Sequence, residues 1–221
     1  MLIAITNRHL CKGDFLVQFE KIAVARPGAI VLREKDLTEE AYRELARSCS
    51  EICRQNDVPL IGHSFIEVSQ NAGLAGIHLS YGDFCVYYGP ARPPVPSGSP
   101  VPPGSPVPPV SGNLKSHTSF PPVGVSIHSV AQAVMAETYG ASYVVAGHIF
   151  ATDSKRWLEP RGVDFLADVC RAVRIPVYAV GGITPSSARG AMVCGAAGVC
   201  VMSSLMRAEE PESLIAEYSK L

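Results

Sequence analysis

Polar and ionisable side chains in this chain collect at the ends of apolar runs, in an order that suits an anion site with a base beside it. The plainest pair is Gly181-Gly182 and Ser203-Ser204, each following a short run of apolar residues. Glycine has no side chain, so backbone N–H groups can approach an anion closely, and the two serines add donors from a neighbouring segment. A Gly-Gly turn can also serve chain reversal alone, but the matching serines favour a phosphate. Arg33, Lys35 and Lys155 end two other runs and supply charge for a second anionic group, a carboxylate or a diphosphate. Glu34 or Asp153 is available to neutralise these cations instead.

The acid–base candidate is His128, because imidazole is the side chain whose ordinary pKa lies near neutrality. In VGVSIHS (123–129), Ser126 and His128 share parity, so in a strand they point the same way while Ile127 points opposite. A hydrogen-bonded core histidine is the alternative for this position. The stretch GHIFATDSK (147–155) ends another apolar run in His148, Thr152, Asp153, Ser154 and Lys155. His63, His78 and His117 are weaker candidates, and His78, between Ile77 and Leu79, reads as a structural histidine in mid-strand. No HxH, HExxH or multi-cysteine spacing supports a zinc site.

These groups need a scaffold that sets strand ends side by side. Eight β-type runs alternate with helical patterns: 2–6, 29–34, 59–64, 76–80, 123–129, 141–150, 176–184 and 198–204. Runs apolar on both faces, alternating with helices, imply a parallel sheet covered by helices. Eight units predict a (β/α)8 TIM barrel, an α/β fold whose reacting groups lie at the C-terminal strand ends, with a doubly wound open sheet as the runner-up. Thr38 followed by two glutamates offers an N-cap for the second helix.

Residues 90–122 depart from this pattern. They hold 12 of the 18 prolines and contain GSPVPP twice. Proline lacks the N–H that a helix ladder needs, so this stretch reads as a proline-rich loop that replaces or extends the connection between the fourth and fifth strands. The β/α alternation resumes in phase afterwards, which makes residues 1–221 one domain.

The chain is 47% hydrophobic with a formal net charge of -1. Without a basic block it lacks the counterion-releasing surface of a nucleic-acid binder. No apolar run approaches the roughly 18 residues of a membrane span, and no secretory signal pattern opens the chain. The seven cysteines show no CxxC and no disulfide framework, with Cys194 and Cys200 expected as buried thiols. A cytoplasmic protein is the expectation, acting on a small molecule, with no nucleic-acid or membrane partner. A homo-oligomer is left open.

The segments VLREKDL (31–37), GIHLSYGD (76–83), GVSIHS (124–129), GHIFATDSK (147–155), RG (161–162), AVGGIT (179–184) and VMSS (201–204) together resemble the thiamine phosphate synthase/TenI family of small (β/α)8 barrels. The resemblance spans nearly the whole chain outside the proline-rich stretch. It implies one of two activities. A synthase couples a pyrimidine diphosphate to a thiazole phosphate with Mg²⁺ on the diphosphate. A TenI-type tautomerase isomerises a non-aromatic thiazole phosphate carboxylate to its aromatic form by moving protons, without a cofactor. A third possibility is a non-catalytic relative that binds the thiazole phosphate. By position, the resemblance implies phosphate contacts at Gly182, Met202 and Ser203, and a proton carrier at His128. Lys35, Ser126, Thr152 and Lys155 then belong to the shared anion-binding set.

The departures select the subtype. Val31 stands where synthases carry Gln, and Gly62-His63 stand where they carry Asn-Asp. Asp83 retains the other metal position, and Gly147-His148 replaces the synthase Gly-Pro. The resemblance thus implies a tautomerase, with Arg33 or Lys35 holding the carboxylate and a Mg²⁺ ligand, Asp83, relevant only to the synthase alternative.

Overall fold

In the computed structural model, which describes residues 1–89, 122–152 and 155–220, eight parallel strands close into a barrel in chain order. They are β1 (Leu2–Ile5), β2 (Ala29–Leu32), β3 (Leu60–His63), β4 (Gly76–Ser80), β5 (Val123–Ile127), β6 (Tyr143–Gly147), β7 (Val177–Val180) and β8 (Gly198–Val201). Closure comes from β8 pairing with β1, where Ile3 lies opposite Cys200. The helices α1 (Phe15–Val24), α2 (Glu39–Gln55), α3 (Ile66–Asn71), α4 (Tyr81–Tyr88), α5 (Val130–Thr138), α6 (Gly162–Ala172), α7 (Pro185–Val193), α8 (Ser203–Arg207) and α9 (Pro211–Ser219) cover the outside. The closed ring selects the barrel over the open sheet.

Strand alternation divides the core in two. Ile3, Val31, Ile61, Tyr143, Val145, Tyr178 and Cys200 fill the barrel interior. Their neighbours, such as Ala4, Ile30, Leu32, Leu60, Val125 and Ile127, face outward against the helices. Each fully buried apolar side chain of this kind contributes roughly 1.5–3 kcal/mol. The interior parity then continues beyond the apolar layer. On β2 it runs from Val31 to Arg33 and Lys35, on β3 from Ile61 to His63, and on β5 from Gly124 through Ser126 to His128. The residues that plug the barrel therefore dictate which polar groups stand in its mouth.

Local chemistry supports the register. Thr38 caps α2 by accepting the Ala41 N–H at 3.3 Å, as the sequence predicts. Glu34 is buried, yet it does not neutralise Arg33 or Lys35. It accepts the Thr6 hydroxyl at 2.7 Å, the Arg8 backbone N–H at 3.1 Å and the Arg8 guanidinium at 3.2 Å. Thr6 Oγ1 in turn accepts the Arg33 N–H at 2.9 Å. This brace leaves the Arg33 and Lys35 side chains to the cavity side of β2.

Of the two alternatives for the proline-rich stretch, the structure selects extension of the connection over replacement: α4 forms directly after β4, capped by Ser80, whose hydroxyl oxygen accepts the Asp83 N–H at 3.1 Å. The helix is complete before the first proline of the run, so proline chemistry never reaches its ladder. Residues 90–121 of that stretch, His117 among them, lie outside the described residues, as do Asp153 and Ser154. All seven cysteines are free thiols. Cys200 is buried as expected, whereas Cys194 is only half-buried. Among the described residues, no helix is long and apolar enough to cross a membrane.

Candidate active site

The C-terminal ends of the strands enclose a cavity of about 770 Å³. One side is made by the loops after β7 and β8, the opposite side by β2 to β6. Every described residue singled out as a substrate-binding or catalytic candidate lines it: Arg33 and Lys35 from β2, Ser126 and His128 from β5, and His148, Thr152 and Lys155 from the β6 loop. Gly181 and Gly182 follow β7, and Met202, Ser203 and Ser204 follow β8.

Gly181 and Gly182 both hold positive φ, at 100° and 65°. The β6 loop packs against them, with Ile149 N–H donating to Val180 O at 2.9 Å and Phe150 N–H to Gly181 O at 3.0 Å. A Cβ on Gly182 would lie 2.3 Å from the Ala151 carbonyl oxygen, so glycine is required both by the dihedral and by the approach of that loop. Across the gap, Ser203 and Ser204 open α8, where the first backbone N–H groups have no intrahelical acceptor. The two segments present backbone and hydroxyl donors to one corner of the cavity.

His128 is exposed on the cavity side. Its Nδ1 lies 3.2 Å from the Gly147 carbonyl oxygen, an acceptor-only group, so in the neutral ring Nδ1 carries the proton and Nε2 the lone pair. The Gln132 side chain fixes its backbone by accepting the His128 N–H at 2.7 Å. This is the tautomer a general base needs. His148 is buried with its Nε2 3.2 Å from the Leu158 carbonyl oxygen, while its Nδ1 is buried without a hydrogen-bond partner. Burial lowers its pKa, and Lys155, Arg161 and His128 nearby act in the same direction. Lys35 is also lowered, by desolvation first and then by the Arg33 charge. An anion bound between these two cations would relieve both effects.

His63 and His78 both face the cavity, and His78 is also the buried, hydrogen-bonded mid-strand histidine that the sequence suggests. They are register partners on β3 and β4, with ring centroids 5.8 Å apart. Burial is the main reason His78 is lowered to about 4 and His63 to about 2, so both rings are neutral at pH 7. Tyr143, which sequence reasoning left as one apolar letter in a strand, lines the same wall and contacts His78. Its role depends on a partner two strands away, so no local motif signals it.

A Mg²⁺ ion, which the synthase alternative implies, requires oxygen ligands. Among the described residues, the cavity lining contains no Asp or Glu. Asp83 lies outside that lining, in the first turn of α4, and accepts the Ser80 hydroxyl at 2.7 Å. The neutral imidazole of His63 stands at the end of β3. Among the described residues no group of three or more His, Cys, Asp or Glu is placed to hold a metal ion. Among the described residues, Asp83 beside Ser80 is one carboxylate at the edge of this wall, and the lining itself adds no second one to hold a hard divalent cation.

Comparison with known proteins agrees with the barrel. The family model of thiamine monophosphate synthase matches residues 2–87 and 115–205. A thiamine-phosphate synthase of Nitrosospira multiformis is 31% identical over 221 residues, covering 100% of this chain and 79% of that one. The thiamine-phosphate synthase 2 of Streptococcus pneumoniae is 31% identical over 220 residues, covering 99% and 93%. The solved thiamine phosphate pyrophosphorylase of Pyrococcus furiosus superposes with a TM-score of 0.74 at 24% identity, covering 99% of this chain and 93% of that one, a likeness of fold.

Proposed function

The chain belongs to the thiamine monophosphate synthase family, and from that premise we propose that it is a thiazole tautomerase. In this reading it isomerises a non-aromatic carboxythiazole phosphate to the aromatic tautomer by general acid–base proton transfer. The observation that carries the reading is the charge of the cavity wall. Among the described residues it combines the cations Arg33, Lys35 and Lys155 with four histidines and no carboxylate. Such a wall suits a substrate with two separate anionic groups and a carbon acid between them.

The substrate phosphate docks at Gly182, Met202 and Ser203, with Gly181 and Ser204 shaping that corner. Arg33 or Lys35 holds the carboxylate, and Thr152 and Lys155 close the rim. His128 Nε2 takes the proton from the ring carbon that bears the carboxylate and returns one at the exocyclic carbon. Aromatisation drives the reaction forward. The protein's share is orientation and one correctly tautomerised base.

The second reading, a Mg²⁺-dependent thiamine phosphate synthase, is favoured by the names of the relatives. It requires carboxylate ligands for the metal, and the described lining presents hydroxyl and amide oxygens but no carboxylate. The two readings separate in solution. Purified protein with the non-aromatic carboxythiazole phosphate is expected to give the ultraviolet absorbance of the aromatic product faster than buffer. No rate gain over buffer would remove the tautomerase reading.

A further inference from the structure

We propose that Tyr143 and His78 form a hydrogen-bond chain that holds the Ser126 hydroxyl as a donor toward the bound ligand, making His78 a positioning residue for the reaction. As regards the identity of that ligand, the inference rests on the tautomerase reading above.

The chain depends on one missing side chain. His78 on β4, Gly124 on β5 and Tyr143 on β6 are successive register partners. A Cβ on Gly124 would lie 2.0 Å from Tyr143 Cζ and 2.3 Å from its hydroxyl oxygen. Glycine on the middle strand therefore opens the space through which the tyrosine crosses β5 to reach β4. There its hydroxyl lies 3.2 Å from His78 Nδ1. The other ring nitrogen, Nε2, lies 2.8 Å from Ser126 Oγ, one layer nearer the mouth.

Proton counting gives the chain a direction. Tyr143 is 4% exposed and packed edge-on against Tyr178, so its O–H must find an acceptor inside the barrel. His78 Nδ1 is a suitable one. If Nδ1 instead donated, the buried phenol proton would lose that acceptor. Burial keeps the Tyr143 pKa well above its ordinary value, so the phenol keeps its proton. Burial first, and then the charges of Lys35 and Arg33, oppose a second proton on the His78 ring. A neutral ring that accepts at Nδ1 must donate at Nε2, to Ser126 Oγ. Ser126 then has a lone pair engaged, and its own proton is free to point into the cavity it lines.

Ser126 shares its face with His128, the base. When His128 removes a proton beside the carboxylate, negative charge spreads onto the carboxylate oxygens. A fixed O–H at that place stabilises the charge at the moment it develops. The chain Tyr143→His78→Ser126 requires no movement of its own to do this.

The test is ¹⁵N-histidine NMR on the full chain, with His78→Phe used for assignment. The neutral His78 ring is expected to show its proton on Nε2 between pH 6 and 8. A proton on Nδ1, or an imidazolium in that range, would overturn the proposal whether or not the tautomerase reading survives. Tyr143→Phe, close to volume-conserving, is expected to admit the Nδ1–H tautomer and to lower kcat roughly 3- to 10-fold with little change in KM. Tyr143→Phe combined with Ser126→Ala should cost no more than Ser126→Ala alone. Unchanged tautomer and kcat in Tyr143→Phe would also overturn it. If wild-type protein turns over no precursor, the tautomerase reading fails, and the NMR result still decides the chain.

Discussion

The two walls of the cavity are built from opposite materials. The β7–β8 corner is made by removing side chains: Gly181 and Gly182 lie under the β6 loop, and two serines begin α8. The β3–β6 wall is made by adding them, with imidazoles, a phenol and a hydroxyl bonded across strands. A ligand group at the first wall meets backbone donors that tolerate loss of a side chain but not gain of one. At the second wall, deletion is the damaging change. The difference matches the tasks proposed for them, since a phosphate needs a concave cradle and a proton transfer needs one atom in one protonation state.

The comparison breaks most readily at His128. His128→Gln should lower kcat by roughly 10²–10⁴-fold, the usual share of a general base, while affinity for the aromatic product stays within about threefold. The exposed side chain supports no core, so the thermal midpoint should hold. A parallel loss of product binding would place His128 among the anchors. Gly182→Ala tests the other wall. With φ at 65° and a carbonyl oxygen 2.3 Å from the new Cβ, it should destabilise the fold by about 2–4 kcal/mol and abolish phosphate-dependent binding. Urea unfolding with a calorimetric titration reads both.

A smaller effect separates the walls by pH. Folded His78 and His63 are lowered to about 4 and about 2, below the 6.5 of an unperturbed imidazole. The unfolded chain therefore binds more protons, and the stability present above pH 6.5 is lost as pH falls toward 4. Each ring accounts for about 1.4 kcal/mol by pH 5.5. Urea midpoints at pH 7.5 and 5.5 should show the loss, and His78→Phe should remove about half of the part that these two rings supply. The smallest expected change is Ser203→Ala, which keeps the backbone N–H and should weaken phosphate binding less than about tenfold. A greater loss would show that the β8 corner works through its side chains, against the contrast drawn here.

Much of the site was legible as period-two alternation. Arg33 and Lys35 extend the parity of Val31, and Ser126 and His128 extend that of Gly124, so strand register carried them into the mouth. The Gly-Gly and Ser-Ser pairs were legible because adjacent residues at one strand end reach the cavity without help from another strand. His78 and Tyr143 were not, because their meaning arises only when three strands align around Gly124. Glu34 was misleading for a similar reason. Adjacent in sequence to Arg33 and Lys35, it points the other way and pairs with Arg8, twenty-six positions earlier. The α4 helix was hidden by the prolines beyond it, although Ser80 supplies an N-cap where it starts.

The central claim is that this cavity moves protons on a thiazole rather than joining it to a pyrimidine. Phosphorus NMR can follow one mixture of the protein, the non-aromatic carboxythiazole phosphate, the aromatic thiazole phosphate, a pyrimidine diphosphate and Mg²⁺. The account predicts that the non-aromatic signal converts to its aromatic carboxylate isomer, that no pyrophosphate appears, and that His128→Gln stops the conversion. Pyrophosphate release with the non-aromatic signal unchanged would contradict it.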